Sequence, residues 1–199
     1  MNAPTLNQSA FDRWERFCHS RLGLSVLFLW AMAEATVWPI VPDFVLIPMA
    51  AGGRRTYWKV LSACILGMAL GGVAIYLFAY FAPAAAEAIL LRLPVVQTFM
   101  IERVRAALDR QGLLAFWTQP WSGLSYKIYA VVAAARGWNP VAVLSLAIFA
   151  RALRMFSLSA VVALAARRFP KFFRDYWLYI AVVYVIGFGY IWFTTQLME

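Results

Sequence analysis

Five charged side chains stand inside otherwise apolar sequence: Glu34, Asp43, Lys127, Arg151 and Arg154. Arg151 and Arg154 are three apart, so on a helix they share a face. Counted from Asn139 at about 1.5 Å per residue, they lie roughly 18 and 22 Å along that helix, near the middle of a bilayer. That depth is hard to escape by snorkelling, so each arginine requires a carboxylate, a carbonyl or water. Glu34 and Asp43 are the acids at comparable depth, and pairing with them is the simplest solution. Three cations and two anions sum to +1. A closed network would prefer zero. A site with positive charge in excess can accept an anion such as a phosphate, whose oxygens match the planar fork of arginine. An acid whose arginine moves away gains a reason to take up a proton, which would couple passage of that anion to a proton gradient. The plainer alternative is a buried salt-bridge network that only holds helices together.

The same segments carry helix breakers and hydroxyls. Pro39 and Pro42 interrupt the first, beside Asp43. Gln119, Pro120, Ser122, Ser125 and Tyr126 interrupt the second, beside Lys127. These residues are expected to line a polar cavity, since irregular backbone at membrane depth survives only against protein or water. Ser122 and Ser125 near Lys127 could form a Ser-Lys catalytic pair, but cavity lining explains them more simply. The one histidine, His19, sits among Asp12, Glu15 and Arg16, and reads as a surface residue. Cys18 and Cys64 make no Cys-x-x-Cys and no zinc spacing. With no Gly-x-Ser-x-Gly either, the expectation is no enzyme, no catalytic residues, no metal and no cofactor.

The composition says what must position these groups. Of 199 residues, 64% are hydrophobic and 14% charged, against about 45–50% and 25% in a soluble domain. A soluble enzyme, a nucleic-acid-binding module and a disordered chain all fit badly. The net charge of +9 lies mostly between apolar runs, as in membrane loops. The fold class expected is therefore an all-α integral membrane protein, a single membrane domain over residues 1–199. Residues 11–21 read as an amphipathic interfacial helix, with Ser9 as its cap. Residues 22–51 read as a re-entrant helical hairpin: prolines break it at 38–43, and since neither half reaches the roughly 20 residues a span needs, it can enter and leave on the same side. Residues 57–82 are a transmembrane helix, whose Gly67 and Gly71 let another helix approach closely. Residues 99–111 form a second interfacial helix with a stripe of Ile101, Val104 and Leu108. Residues 113–136 form a second re-entrant hairpin. Residues 139–166 and 176–194 are transmembrane helices.

Basic residues set the orientation. Arg13, Arg16 and Arg21 precede the first hairpin, Arg54, Arg55 and Lys59 follow it, and Arg167, Arg168, Lys171 and Arg174 follow the 139–166 span. Placing them inside puts the N-terminus in the cytoplasm and 83–112 outside. Hairpin plus span then occurs twice in opposite orientation, an inverted repeat of the kind transporters use.

These residues resemble a known family. Glu34 followed by Pro39-Ile40-Val41-Pro42-Asp43, then Pro48 and Gly52, looks like the first re-entrant motif of the DedA, or VTT-domain (SNARE-associated), membrane proteins. Gly67-Met-Ala-Leu-Gly71 with Tyr76 is similar to that family's Gly-x-x-x-Gly…Tyr span, with Gly72 where an acid often follows. Pro120-Trp-Ser-Gly-Leu-Ser-Tyr126-Lys127, with Ala133–Ala135 and Arg136, resembles the second re-entrant motif. Arg151-Ala-Leu-Arg154 resembles the basic motif on the next helix. The small YqaA-like subgroup, with Tyr-Lys in the second hairpin, is the nearest match, and the likeness covers about residues 22–170. It implies a bacterial inner-membrane transporter or flippase of lipids, with undecaprenyl phosphate or a phospholipid as substrate. It gives the acidic roles to Glu34 and Asp43 and the basic ones to Arg151 and Arg154.

The function expected is movement of an anionic lipid between leaflets, with the phosphate headgroup passing near Lys127, Arg151 and Arg154 and protons as the coupling ion. Partners are membrane lipids and not nucleic acid; a homo-oligomer stays open. Two rivals use the same residues: a proton- or cation-coupled small-solute transporter, and a non-transporting membrane interaction protein whose charges are structural.

Overall fold

The structure, a computed structural model, describes residues 12–14, 16–18, 20–50, 54–93, 96–169, 171, 172, 175, 182, 183, 186, 187 and 190. Ser9, His19, Gly52, Gly53 and all but five residues of the 176–194 span lie outside them. Every regular element among the described residues is helical. In order they are α1 (helical at 12–14 and 16–18), α2 (Arg21–Thr36), α3 (Asp43–Ala50), α4 (Arg54–Phe81), α5 (Pro83–Leu90), α6 (Thr98–Gln111), α7 (Ala115–Thr118), α8 (Tyr126–Ala135) and α9 (Pro140–Arg168). Two of these are long and apolar enough to cross a membrane: Tyr57–Phe81 within α4, and α9.

Local chemistry explains the boundaries. Ser20 separates α1 from α2: its Oγ donates to the Phe17 carbonyl at 2.6 Å and accepts the Gly23 N–H at 3.0 Å, as an N-cap does. The interfacial helix expected over residues 11–21 is therefore interrupted at Ser20, and Arg21 already belongs to α2. α2 stops ahead of Pro39, because the residue before a proline avoids helical geometry. The Trp38 N–H closes the helix end on the Ala33 carbonyl at 2.7 Å, and the Trp30 indole N–H donates to the Ile40 carbonyl at 3.1 Å. α9 starts with Pro140 at its first position, where a missing N–H costs nothing. Asn139 Oδ1 accepts the N–H groups of Val141 and Ala142 at 2.9 and 3.2 Å. Arg167 and Arg168 occupy its last turn, where the helix dipole favours cations.

The described residues divide into two compact units. Unit 1 comprises Met1–Leu27, Pro42–Cys64 and Phe156–Glu199. Within it the Tyr57 hydroxyl donates to the Phe156 carbonyl at 3.3 Å and lies 3.1 Å from Ser159 Oγ. Trp58 stacks on Phe156 with ring centroids 6.1 Å apart. These contacts join the start of α4 to the end of α9.

Unit 2 comprises Phe28–Val41 and Ile65–Met155. Its core is α8, buried from Tyr126 through Ala134, with α5 and α6 packed on it. Ile101, Val104 and Leu108 are all buried in this core. The stripe that periodicity identified is therefore covered by protein, packed on α8. α5 went unassigned in the sequence. The first arm of the 113–136 segment is not one helix but the single turn α7 between two 3₁₀ turns, Gly112–Leu114 and Gln119–Trp121. Gly123, at the tip, has φ +75°, which glycine adopts without strain. The Tyr76 hydroxyl donates to the Trp138 carbonyl at 2.8 Å, tying α4 to the entry of α9.

Gly67 and Gly71 sit where α4 meets α2. A Cβ on Gly67 would run into the Phe28 carbonyl, and one on Gly71 into the Met32 carbonyl and the Ala35 side chain. Gly67→Val should therefore destabilise the protein by at least the roughly 1–3 kcal/mol typical of overpacking. Thermal unfolding in mild detergent checks this, with Gly187→Ala, where an added Cβ meets nothing within 4 Å, as the tolerated control.

Candidate functional site

The site forms inside unit 2 from three elements. Glu34 lies in the last turn of α2, Tyr126 and Lys127 open α8, and Arg151 sits in the middle of α9. Glu34, Lys127 and Arg151 are only 6%, 3% and 7% exposed. They are the fully buried charges of this unit among the described residues, and they sum to +1.

Arg151 Nη2 donates to Glu34 Oε2 at 2.5 Å. The contact uses one edge of the guanidinium: the other terminal nitrogen, Nη1, is buried and has no hydrogen-bond partner in the protein. Leaving a buried charged donor unmade is expensive. The guanidinium carbon lies 4.8 Å from the centre of the Tyr126 ring, a cation–π contact that is stronger where water is excluded. Tyr126 is held in turn by Gly72. Its hydroxyl reaches the Gly72 carbonyl at 3.4 Å, and its ring fills the space a side chain would need, since a Cβ on Gly72 would stand 3.2 Å from it. Lys127 Nζ donates to the Trp38 carbonyl at 2.9 Å. Trp38 lies two residues beyond the end of α2, and residue 42, which would donate to its carbonyl in a continuing helix, is a proline without an N–H. Lys127 therefore fastens the start of α8 to the loop that follows α2.

The structure brings Glu34, Lys127, Arg151 and Tyr126 together. Asp43 is buried as the first residue of α3, in unit 1. Arg154, one turn beyond Arg151 on α9, is partly exposed. The remaining cavity candidates differ among themselves. Gln119 is buried, and its Nε2 donates to the Leu124 carbonyl at 2.9 Å. Its Oε1 has no hydrogen-bond partner. Ser122 is exposed at the tip, where its Oγ donates to the Gln119 carbonyl at 2.8 Å and accepts the Leu124 N–H at 3.2 Å. Pro42 is buried, while Pro39, Pro120 and Ser125 are partly exposed. Sequence reasoning missed the Trp38 carbonyl and Gly72, and it gave Tyr126 only a lining role. The Tyr-Lys pair opening a helix was the available signal: adjacent helical residues point in different directions, so one meets the arginine and the other the loop.

No protein-family model, curated protein or solved structure matches the chain.

Removing one partner of a buried ion pair strands the other. Arg151→Met alone should cost about 3–5 kcal/mol, and Arg151→Met with Glu34→Gln should recover most of that loss. Thermal unfolding of the two single variants and the double in detergent measures the coupling directly.

Proposed function

We propose that this chain is an integral membrane protein that moves an anionic lipid between leaflets, with Arg151 as the headgroup ligand. The observation that carries this reading is the buried, one-edged Glu34–Arg151 pair with Lys127 alongside, which leaves positive charge in excess and a guanidinium edge unused. Charged groups inside apolar helical protein are costly and tend to mark transport paths. The helix lengths support re-entrant hairpins: α2, α3 and α8 have 16, 8 and 10 residues, each below the roughly 20 of a full span. The arrangement read from the sequence supports it too: two opposed hairpins, each followed by a long apolar helix, in a bacterial inner membrane with the N-terminus cytoplasmic. So does the resemblance to the DedA (VTT-domain) proteins.

In this reading a phosphate headgroup replaces the Glu34 carboxylate on Arg151. The planar guanidinium can then meet two phosphate oxygens, one through each terminal nitrogen. Lys127 supplies the second positive charge, the acyl or prenyl chain stays in the bilayer, and Glu34, released, is the group that takes a proton. The purely structural reading has one observation in its favour, since Lys127 already spends a hydrogen bond fastening the Trp38 loop.

Leaflet exchange separates the two. Purified protein in liposomes should accelerate exchange of a fluorescent phosphate-headed lipid, and Arg151→Gln should slow it at least tenfold. The swap Glu34→Arg with Arg151→Glu keeps a pair but reverses its geometry. It should fold and fail to transport, whereas full activity in the swap would make the charges structural. No acceleration with any anionic lipid would remove the flippase reading.

A further inference from the structure

With Ile101, Val104 and Leu108 buried in the core of unit 2, α6 presents its opposite face outward. Residues three and four apart share a helix face, so Phe99, Arg103, Ala106 and Arg110 form one row there, and all four are exposed. Phe99 is 44% exposed, and Leu113 and Leu114, in the 3₁₀ turn that follows, are 40% and 68% exposed. The Arg103 guanidinium carbon lies 5.2 Å from the centre of the Phe99 ring, so cation and ring lie together. The other arginines of this layer are engaged: Arg105 Nη2 holds Glu87 Oε1 at 2.7 Å, and Arg136 Nη2 holds Asp109 Oδ1 at 2.9 Å. Arg92, Arg103 and Arg110 have no carboxylate at ion-pair distance among the described residues, and neither has Glu102 a cation. Three exposed cations against one exposed anion leave the outside of the α5–α6 layer positive.

This layer is fixed at the ends of the two helices long enough to cross a membrane. Arg136, just past α8, donates to the Arg105 carbonyl of α6 at 3.4 Å and lies 5.9 Å from the Trp138 ring centre. Trp138 comes two residues before Pro140, where α9 starts. Its carbonyl holds the hydroxyl of Tyr76, in the last turns of α4. Where α4 and α9 span a bilayer, headgroups stand at this level. Cations with apolar side chains beside them hold a helix at that boundary, and anionic headgroups supply the missing counter-charge. We infer that the outward face of α6 docks on anionic lipid headgroups of the bilayer that α4 and α9 cross. Arg103 and Arg110 meet headgroup phosphates, while Phe99, Leu113 and Leu114 reach the acyl boundary. Helix α6 is thus interfacial through its charged face, and its apolar stripe serves the protein core. The inference rests on the membrane reading and is independent of lipid movement.

The test uses the full-length chain with an environment-sensitive fluorophore on Ala106→Cys, since Cys18 and Cys64 are buried. It compares vesicles of phosphatidylcholine with vesicles that also contain phosphatidylglycerol. Quenching by a nitroxide-headgroup lipid should be at least twofold stronger with phosphatidylglycerol, and quenching by acrylamide correspondingly weaker. Each arginine at an anionic surface contributes about a fivefold shift toward docking. The Arg103→Gln, Arg110→Gln double variant should therefore abolish the difference. Arg103→Lys with Arg110→Lys should keep it, and Glu102→Gln should enlarge it. Circular dichroism melts confirm folding, and resistance to carbonate extraction checks membrane integration separately. Quenching that is equal in the two vesicles, or unchanged in the Arg→Gln variant, would overturn the headgroups as partner. Equal shielding from acrylamide in neutral detergent would instead put a second protein chain on this face.

Discussion

A guanidinium enclosed by apolar helices must find its counter-charge within the protein, and much of unit 2 follows from how Arg151 does so. Glu34 supplies the charge, but only along one edge. Tyr126 supplies a π face beneath the plane, and Gly72 makes room for Tyr126. Each of these residues comes from a different helix, so α2, α4, α8 and α9 are tied to one another at this point. The close approach of α4 to α2 at Gly67 and Gly71 serves the same end. Without it, α2 could not bring Glu34 into the layer where Arg151 lies.

The break after α2 is as necessary as the pair. Trp38 and Pro39 end the helix and leave a carbonyl without its helical donor, and Lys127 satisfies it. In a continuing helix the donor to that carbonyl would be residue 42, a proline with no N–H, so the lysine supplies a bond the backbone cannot make. Breaker and lysine thus depend on each other across 89 residues of sequence. The Trp30 indole closes the same loop from α2, on the Ile40 carbonyl.

Much of this was legible in the sequence, and the parts that were not have physical reasons. The prolines at 39 and 42 marked the break, Asn139-Pro140 marked the start of α9, and the glycines at 67 and 71 marked a close contact. In each case a residue type dictates local backbone or steric space. The buried charges were recognisable because their types do not belong in apolar runs. Which acid meets Arg151 was not, since pairing depends on tertiary placement and both Glu34 and Asp43 had suitable surroundings. The 101–104–108 stripe was found, but periodicity reports that a face is covered and not by what. Ser20 and Pro83 were readable start signals, passed over because long apolar runs around them drew the boundaries elsewhere.

The missing side chain of Gly72 sets the depth to which the Tyr126 ring sinks, and the ring in turn sets the height of the guanidinium above it. Position 72 is therefore a shim: one added methyl would be felt two layers away, as a change in where Arg151 points.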